Sequence, residues 1–450
     1  MAPSPSPAPH VLLINPWIHD FAAYDVWAKP MGLLMLGAIL RLHGIQVSYI
    51  DCLDRFHAKA RATDPFLRNG RGPYLKTPLE NPKGLEDIDR RFSRYGIRPD
   101  WLTQDLKNIA PPDLILVTSL MTYWYPGTIE TIQILKKVFP RIPVILGGIY
   151  PTLFPDHAQK TCGADRVVSG PGTQGLLKWI QEYTGYRIEP AFDPEDLNTF
   201  PYPAFDLQTR VSYVPLLTSL GCPFSCAYCA SPILNPKHLR RNPEAVVKEI
   251  LHWHGEYGVK DFVFYDDALL VNPERHIFPM LKGVLDAGIQ VRFHTPNAVH
   301  AKEVTREMAL LMKASGFHTL RLGVETGDFS NRSKDLDQKL TLKEFKSAVQ
   351  SLQSAGFSKS QVGAYLLTGL PEESEKEVAL SIDMVKNQGL TPVLAYYTPL
   401  PGTGLWEKAK AASRYDLEAD PIFTNNAIFP CSKEPFSWQR ISRLKARVRG

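Results

Sequence analysis

From Val11 to Tyr183, short apolar runs alternate with stretches whose apolar residues recur every three or four positions. The runs Val11–Asn15, Gln46–Asp51, Leu114–Ser119, Val144–Gly148 and Arg166–Ser169 predict buried strands. Pro30–Leu42, closed by Gly44, predicts a helix, as do Ile129–Val138 and Thr173–Tyr183. This alternation implies an α/β, doubly wound parallel sheet, whose ligands bind at the carboxyl ends of the strands. Residues 55–110 break the pattern, being polar and rich in Arg, Lys, Pro and Gly. Such a stretch is too long for a plain loop and is expected to form a lid or an interaction surface. Residues 186–208, rich in Pro and Asp, read as a linker.

A second alternation begins near residue 215. Strands fit Pro215–Leu220, Asp261–Asp266, Gln290–His294, Thr319–Val324, Gln361–Thr368 and Val393–Thr398. Asn242 and Pro243 open one helix, with Val246, Ile250, Trp253 and Tyr257 along one face. Thr341 with Glu344, and Ser374 with Glu377, are capping boxes for two more, which Gly356 and Gly389 end. Six strand–helix units are too few for an eight-fold barrel, so a partial, TIM-like (β/α)6 barrel is expected, active at its carboxyl face. The expected organisation is a lead over 1–9, a first domain over 10–185, the linker, a barrel over 209–403 and a tail of little periodicity over 404–450.

Composition narrows the function only slightly. The chain of 450 residues is 44% hydrophobic and 22% charged, which is ordinary for a globular protein. A net charge of +5 is compatible with an anionic ligand but gives no ground for nucleic acid. The longest apolar stretch, Met31–Leu40, is half of a bilayer crossing. The opening MAPSPSPAP lacks the basic start and apolar run of a signal peptide and reads as a disordered lead. Six cysteines in this length form no disulfide framework, so a cytoplasmic protein with reduced thiols is expected.

Three of those cysteines stand together, in Cys222-Pro-Phe-Ser-Cys226-Ala-Tyr-Cys229, directly after the first barrel strand. Three thiolates within eight residues can serve one centre, and three ligands on a four-iron cluster leave one iron open to a small chelating ligand. The rival reading is a zinc site completed by a residue such as His238. Zinc motifs usually come as two separated pairs, which are absent here. Cys52, Cys162 and Cys431 stand alone and read as small buried apolar residues.

This cysteine spacing, after the first strand of a six-unit barrel, resembles the radical S-adenosylmethionine (SAM) superfamily over about residues 210–403. The resemblance implies a 4Fe-4S cluster on Cys222, Cys226 and Cys229, with SAM chelating the open iron. It places Tyr228 by the adenine. Tyr265-Asp266-Asp267 stands where the family has a Gly-Gly-Glu-like contact to the methionine amino group, although those glycines are missing, so Asp266 is the candidate there. Gly323-Val-Glu325-Thr326 puts Glu325 at a ribose or carboxylate contact. Gly363 to Pro371 resembles the adenine-side segment. For each acidic residue, salt bridging at the barrel rim is the competing reading.

Pro30-Met-Gly-Leu-Leu, Gly147-Gly148-Ile-Tyr-Pro-Thr152 and Ser169-Gly170-Pro-Gly172 are similar to the Rossmann-like, cobalamin-binding domain that precedes many such barrels. The implied contacts are Ser119, Met121, Thr122, Tyr123, Gly147, Gly148, Ile149, Tyr150 and Gly170. Glycine at a strand end lets backbone approach a bulky ligand, although any doubly wound sheet can use glycine there. The Asp-x-His-x-x-Gly signature that supplies a cobalt ligand is absent, and His19 reads as a surface or loop residue. Cobalamin is therefore expected with no protein histidine on its lower face. The loop Met121-Thr-Tyr-Trp-Tyr125 would either wall that face or pack beneath the inserted segment. The lack of a cysteine cluster in the first domain weighs against the methylthiotransferase branch.

The resemblance implies a radical SAM enzyme with SAM, a 4Fe-4S cluster and cobalamin as cofactors. Its expected reaction is methylation of an unactivated carbon through a 5′-deoxyadenosyl radical and methylcobalamin. Cyclisation or oxidation with the same cofactors, and a non-catalytic cobalamin- or cluster-binding sensor, are the alternatives. The expected partners are a small-molecule or peptide substrate and a flavodoxin- or ferredoxin-like electron donor. No side chain is singled out as a catalytic acid or base.

Overall fold

The computed structural model describes residues 8–329, 336, 337 and 339–450. The expected lead therefore lies outside the described residues, except for Ala8 and Pro9. The chain divides into two compact units, one of residues 1–212 with 420–422 and one of residues 213–419 with 423–450.

In the first unit the elements in chain order are β1 (His10–Asn15), β2 (Ile18–Asp20), α1 (Met31–Leu42), β3 (Gln46–Asp51), β4 (Lys76–Pro78), β5 (Ser93–Tyr95) and α2 (Pro99–Lys107). There follow β6 (Leu114–Val117), α3 (Tyr125–Val138), β7 (Val144–Leu146), α4 (Ile149–Leu153), α5 (Pro155–Thr161), β8 (Arg166–Val167) and α6 (Leu176–Thr184). The main sheet runs β3-β1-β6-β7-β8, all parallel. Val11–Ile14 and Leu114–Val117 are buried throughout, because helices cover both faces of such a sheet. This strand order reverses between β1 and β6, and the crevice beyond that reversal is where ligands of doubly wound sheets sit.

Two expectations change here. Within the inserted segment, β5 pairs antiparallel with both β2 and β4, in the order β2-β5-β4, which the apolar pattern did not reveal. Ile18, Leu53, Tyr74 and Tyr95 make that small sheet a core of its own. A three-residue strand such as Ile18–Asp20 is too short to show a period. The stretch 186–208, read as a linker, packs on the same unit. Phe192 joins the main core, Phe205 is fully buried, and Ala204 N–H donates to Leu34 O at 3.0 Å.

The second unit holds β9 (Val214–Leu216), β10 (Ser219–Leu220), α7 (Ser231–Leu234), β11 (Leu239–Arg240), α8 (Pro243–Tyr257), β12 (Asp261–Phe264), α9 (Ile277–Asp286), β13 (Arg292–His294) and β14 (Val299–His300). It continues with α10 (Arg306–Ala314), β15 (Phe317–Glu325), α11 (Leu342–Ser354), β16 (Val362–Thr368), α12 (Glu375–Asn387), β17 (Thr391–Tyr396), α13 (Trp406–Ala412) and α14 (Trp438–Arg449). The strands β9, β12, β13, β15, β16 and β17 lie side by side in chain order, every pair parallel, with β14 beside β15. Phe264, Phe293 and Phe317, from three neighbouring strands, sit with ring centroids 5.3–5.7 Å apart. At the amino end of β12, buried Asp261 takes two bonds from Arg292, at 2.7 and 2.6 Å, and one contact from His294 at 2.9 Å. Ion pairing at that pole serves stability and leaves the carboxyl pole for chemistry.

Asn242, Thr341 and Ser374 cap their helices as expected, the last two as complete capping boxes. The tail is not structureless. Within it, α14 pairs with α12 through Arg443–Glu375, with two bonds of 2.6 Å, and Arg447–Asp383. Ile441 and Leu444 are buried. These two positions are three apart in a very basic helix, which left too little apolar pattern to read.

Candidate cluster and cofactor sites

The cysteine loop is closed at its base by the antiparallel pair β10–β11, with Ser219 opposite Arg240 and Leu220 opposite Leu239. Gly221 has φ +76°, and a Cβ there would stand 2.3 Å from Lys237 O, so only glycine lets the two sides of the base cross. Inside the loop the backbone is braced from afar. Ala227 N–H donates to Leu336 O at 3.0 Å, and Leu405 N–H donates to Ala227 O at 2.9 Å. Cys226 is buried, Cys222 and Cys229 are half-buried, and none is in a disulfide. Burial raises all three thiol pKa values, while the nearby Lys339 ammonium opposes that rise.

Three free thiols on one short loop are the donor set a 4Fe-4S cluster needs, and metal binding would displace their protons. Among the described residues, no three His, Cys, Asp or Glu side chains converge on a single ion. A cluster places its thiolates at separate corners and does not require that convergence.

The four expected SAM contacts separate. Tyr228 and Glu325 are brought together. The Lys339 ammonium lies 3.3 Å from the Tyr228 hydroxyl, and the Glu325 charge acts on both groups. Glu325 ends β15 with φ +66°, a left-handed backbone, and its Oε1 would stand 3.1 Å from a Cβ at Gly323, where glycine leaves it room. Asp266 is buried and bound differently from what the resemblance implied. Its Oδ1 accepts from Thr218 Oγ1 (2.6 Å), Ser219 N (2.5 Å) and Ser219 Oγ (2.6 Å), and its Oδ2 from Thr218 N (3.2 Å). It therefore pins the turn between β9 and β10. Gly363 lies at the amino end of β16, where a Cβ would meet Val393 at 2.8 Å and Arg321 at 3.1 Å, so it makes room between strands. The carboxyl end of β16 is Thr368-Gly369.

Sequence reasoning missed Lys339, whose side chain meets Cys226, Tyr228 and Glu325 from far along the chain. It also missed Asp267, which accepts from Ser231 Oγ at 2.5 Å, while Ser231 N–H points at Cys229 Sγ at 3.4 Å. The pairing of Asp267 with a serine two residues beyond the motif carries no local signal.

At the carboxyl edge of the five-stranded sheet, the loops after β6 and β7 are zipped together. Ile149 N–H donates to Ser119 O at 2.9 Å, and Ser119 Oγ to Gly147 O at 3.1 Å. Gly148 has φ +108° and ψ −162°, and a Cβ would stand 2.3 Å from Ser119 O, so its glycine is demanded by backbone and not by a ligand. At Gly147 and Gly170 no atom lies within 4 Å of where a Cβ would be. Bare backbone at two points of this edge is the cradle a bulky cofactor such as cobalamin requires. Met121 and Ile149 are half-buried beside it.

The aromatic residues do not form one wall. Thr122, Tyr123 and Tyr150 are buried. Trp124 Nε1–H donates to Asp20 Oδ2 at 2.7 Å, and Tyr125 stacks on Tyr150 with centroids 5.5 Å apart. Tyr150 hydroxyl lies 2.7 Å from His157 Nδ1. His19 is not a surface residue. It is buried in β2, with Nε2 2.9 Å from Glu130 Oε2, and Glu130 also binds Arg94 through 2.8 and 2.5 Å bonds.

Residues 216–385 match the model of the Radical SAM superfamily, and residues 100–178 match that of the B12 binding domain. The chain belongs to the radical SAM superfamily, in the branch that carries a cobalamin-binding domain. It is a radical SAM enzyme with a 4Fe-4S cluster, SAM and cobalamin as cofactors. An uncharacterized methyltransferase of Pyrococcus horikoshii is 27% identical over 370 residues, covering 75% of this chain and 77% of that protein. The cytidylyl-2-hydroxyethylphosphonate methyltransferase of Streptomyces wedmorensis is 21% identical, covering 88% of this chain and 80% of that protein. The fold is that of TsrM from Kitasatospora setae, a radical SAM methyltransferase solved with tryptophan and a SAM analogue. That match has a TM-score of 0.65 at 16% identity, covering 91% of this chain and 78% of that one. No helix among the described residues of this radical SAM enzyme is long and apolar enough to cross a membrane.

Proposed function

We propose that this radical SAM enzyme methylates an unactivated carbon of a small molecule. The observation that carries the proposal is the presence, in one chain, of a three-thiol loop on a parallel barrel sheet and a bare glycine edge on a doubly wound sheet. Relatives spanning most of both units are named methyltransferases. When bound, the reduced cluster supplies a 5′-deoxyadenosyl radical from SAM to take a hydrogen from the substrate carbon, and methylcobalamin supplies the methyl group (a polar transfer would need a nucleophile, which such a carbon is not).

The chain's own residues hold these groups. Cys222, Cys226 and Cys229 supply thiolates. Tyr228 and Glu325 present a ring face and a carboxylate beside the loop, with Lys339 fixing both by charge. Gly147 and Gly170 leave backbone bare for the second cofactor, and Ser119 holds the loop that carries Gly147. A flavodoxin- or ferredoxin-like donor supplies electrons, and the enzyme works in the cytoplasm.

The test is turnover with methyl-deuterated SAM, reductant and extracts of the source cell as substrate pool. Both 5′-deoxyadenosine and S-adenosylhomocysteine should form, and one product should gain a deuterated methyl. Deoxyadenosine with a product that gains no methyl would replace methylation by cyclisation or oxidation. Neither nucleoside forming would leave a cofactor-binding sensor.

A further inference from the structure

The second unit carries a half-open cavity of about 510 Å³ between the carboxyl end of β16, the last turn of α13 and the start of α14. That volume is in the range of small-molecule sites. Leu370, Phe429 and Ala412 give it an apolar wall. Lys408, Lys433 and Arg440 bring positive charge to it.

We propose that this cavity binds a small organic oxyanion, a carboxylate or phosphate on an apolar body, with Arg440 as the partner of the anion. The Arg440 guanidinium lies 5.6 Å from the Phe429 ring centroid, which orients its plane. Its Nε is buried and has no acceptor within the protein. A buried donor left unmatched is destabilising, and more so when charged, so an acceptor from outside the chain is favoured. The planar guanidinium suits the paired oxygens of a carboxylate or phosphate. Lys433 is held by Ser413 O through one of its three donors and lends its charge to the same cavity.

Glu373, a carboxyl in the lining, is occupied by Gly369 N–H at 2.7 Å, and burial pushes its pKa up to about 7. Near neutral pH it therefore opposes an incoming anion with only part of a charge. Glu372 and Glu434 also line the cavity but stand exposed, where water screens them.

The site is separate from the cysteine loop yet mechanically close to it. Leu405, just before α13, bonds the loop at Ala227, and Ala412 ends the same helix at the cavity. Seven residues of helix span about 10 Å. A ligand against Ala412 thus presses on the helix that braces the cluster loop. None of this depends on the reaction being methylation.

The experiment is calorimetric titration of the full chain with phenyl phosphate, benzoate, inorganic phosphate and benzyl alcohol. Phenyl phosphate or benzoate should bind saturably, one per chain, and benzyl alcohol should not. Arg440→Met keeps the stem over Phe429, so it should melt as the wild type does while weakening the anion at least tenfold. Ala412→Phe should abolish binding by filling the cavity. A variant with Cys222, Cys226 and Cys229 all changed to Ala should bind as tightly as wild type.

The proposal is overturned by a correctly folded wild type that binds neither organic anion. Binding that survives both Arg440→Met and Ala412→Phe also overturns it. Inorganic phosphate binding as tightly as phenyl phosphate would remove the apolar wall from the argument and overturn the ligand class. Loss of binding in the cysteine variant would move the site to the cluster loop, with the same consequence.

Discussion

Replacing Asp266 by Asn separates two tasks, contact with SAM and anchorage of the turn that feeds the cysteine loop. Its carboxylate accepts four bonds from Thr218 and Ser219, two of them from backbone N–H groups. An amide with its oxygen at Oδ1 keeps three acceptor contacts, each weakened by loss of charge. Its NH2 then faces Thr218 N–H, donor against donor. A plain sum gives about 4–6 kcal/mol, from roughly 1 kcal/mol for each weakened bond and 1–3 for the unmatched donor. The neutral amide also escapes the desolvation that raises the Asp266 pKa, so the net loss should be nearer about 3 kcal/mol. For a unit of this size that is roughly 6–12 °C in melting temperature. Anaerobic calorimetry of the cluster-free chain measures it, with equilibrium dialysis of SAM on the reconstituted protein as the second readout. Melting at the wild-type temperature together with weaker SAM binding would refute the anchoring role and restore the contact implied by resemblance.

Changing Cys222, Cys226 and Cys229 together to Ala should abolish iron uptake and the broad visible absorbance on anaerobic reconstitution; retained iron would show that the ligands lie elsewhere. Gly147→Leu should leave melting unchanged and block hydroxocobalamin binding, whereas Gly148→Ala should lower stability through its φ of +108° and its 2.3 Å clash with Ser119 O. Burial alone would raise the Glu130 pKa, but bonds from His19 and Arg94 lower it overall, so the stability it confers is present above about pH 4.5 and lost as pH falls further. Glu130→Gln should therefore cost about 1–2 kcal/mol in urea melts at pH 7, a gap that closes in acid. Burial, with Arg240 and His238, lowers His276 to about 4, so the unfolded chain takes up the proton first and stability falls by about 3 kcal/mol as pH drops from 6.5 to 4. His276→Gln should flatten that slope.

What could be read from the chain follows the range of the forces involved. Val11–Asn15, a buried strand in the middle of a parallel sheet, shows as a nearly continuous apolar run, and its bounds agree with the structure to within one residue. Thr341 with Glu344 binds within four residues, so the capping box was legible too. Ile18–Asp20 could not be read, since its strand is defined by partners more than 70 residues away. Asp266 and Gly363 were placed by resemblance at ligand contacts, whereas the fold uses the Asp266 carboxylate to pin a turn and the bare Gly363 to make room between strands. A short acidic motif or a single glycine does not say which way its strand presents it.

The cysteine loop shows why the donors were legible and their surroundings were not. Cluster ligation needs three thiols on one flexible stretch, and spacing along the chain encodes that. Holding the stretch still is a different problem, because a loop with no ladder of its own must satisfy its backbone elsewhere. Here Ala227 does so with both groups, its N–H to Leu336 O and its carbonyl from Leu405 N–H, more than 100 and 170 residues away. Because main-chain atoms make these bonds, almost any side chain at 336 or 405 would serve, and no residue type marks the place. Lys339 follows from the same bracing. Once Leu336 is tied to Ala227, a lysine three residues on is carried to Cys226, Tyr228 and Glu325. The charge that opposes the burial of the thiols thus depends on a backbone contact that leaves no trace in the sequence.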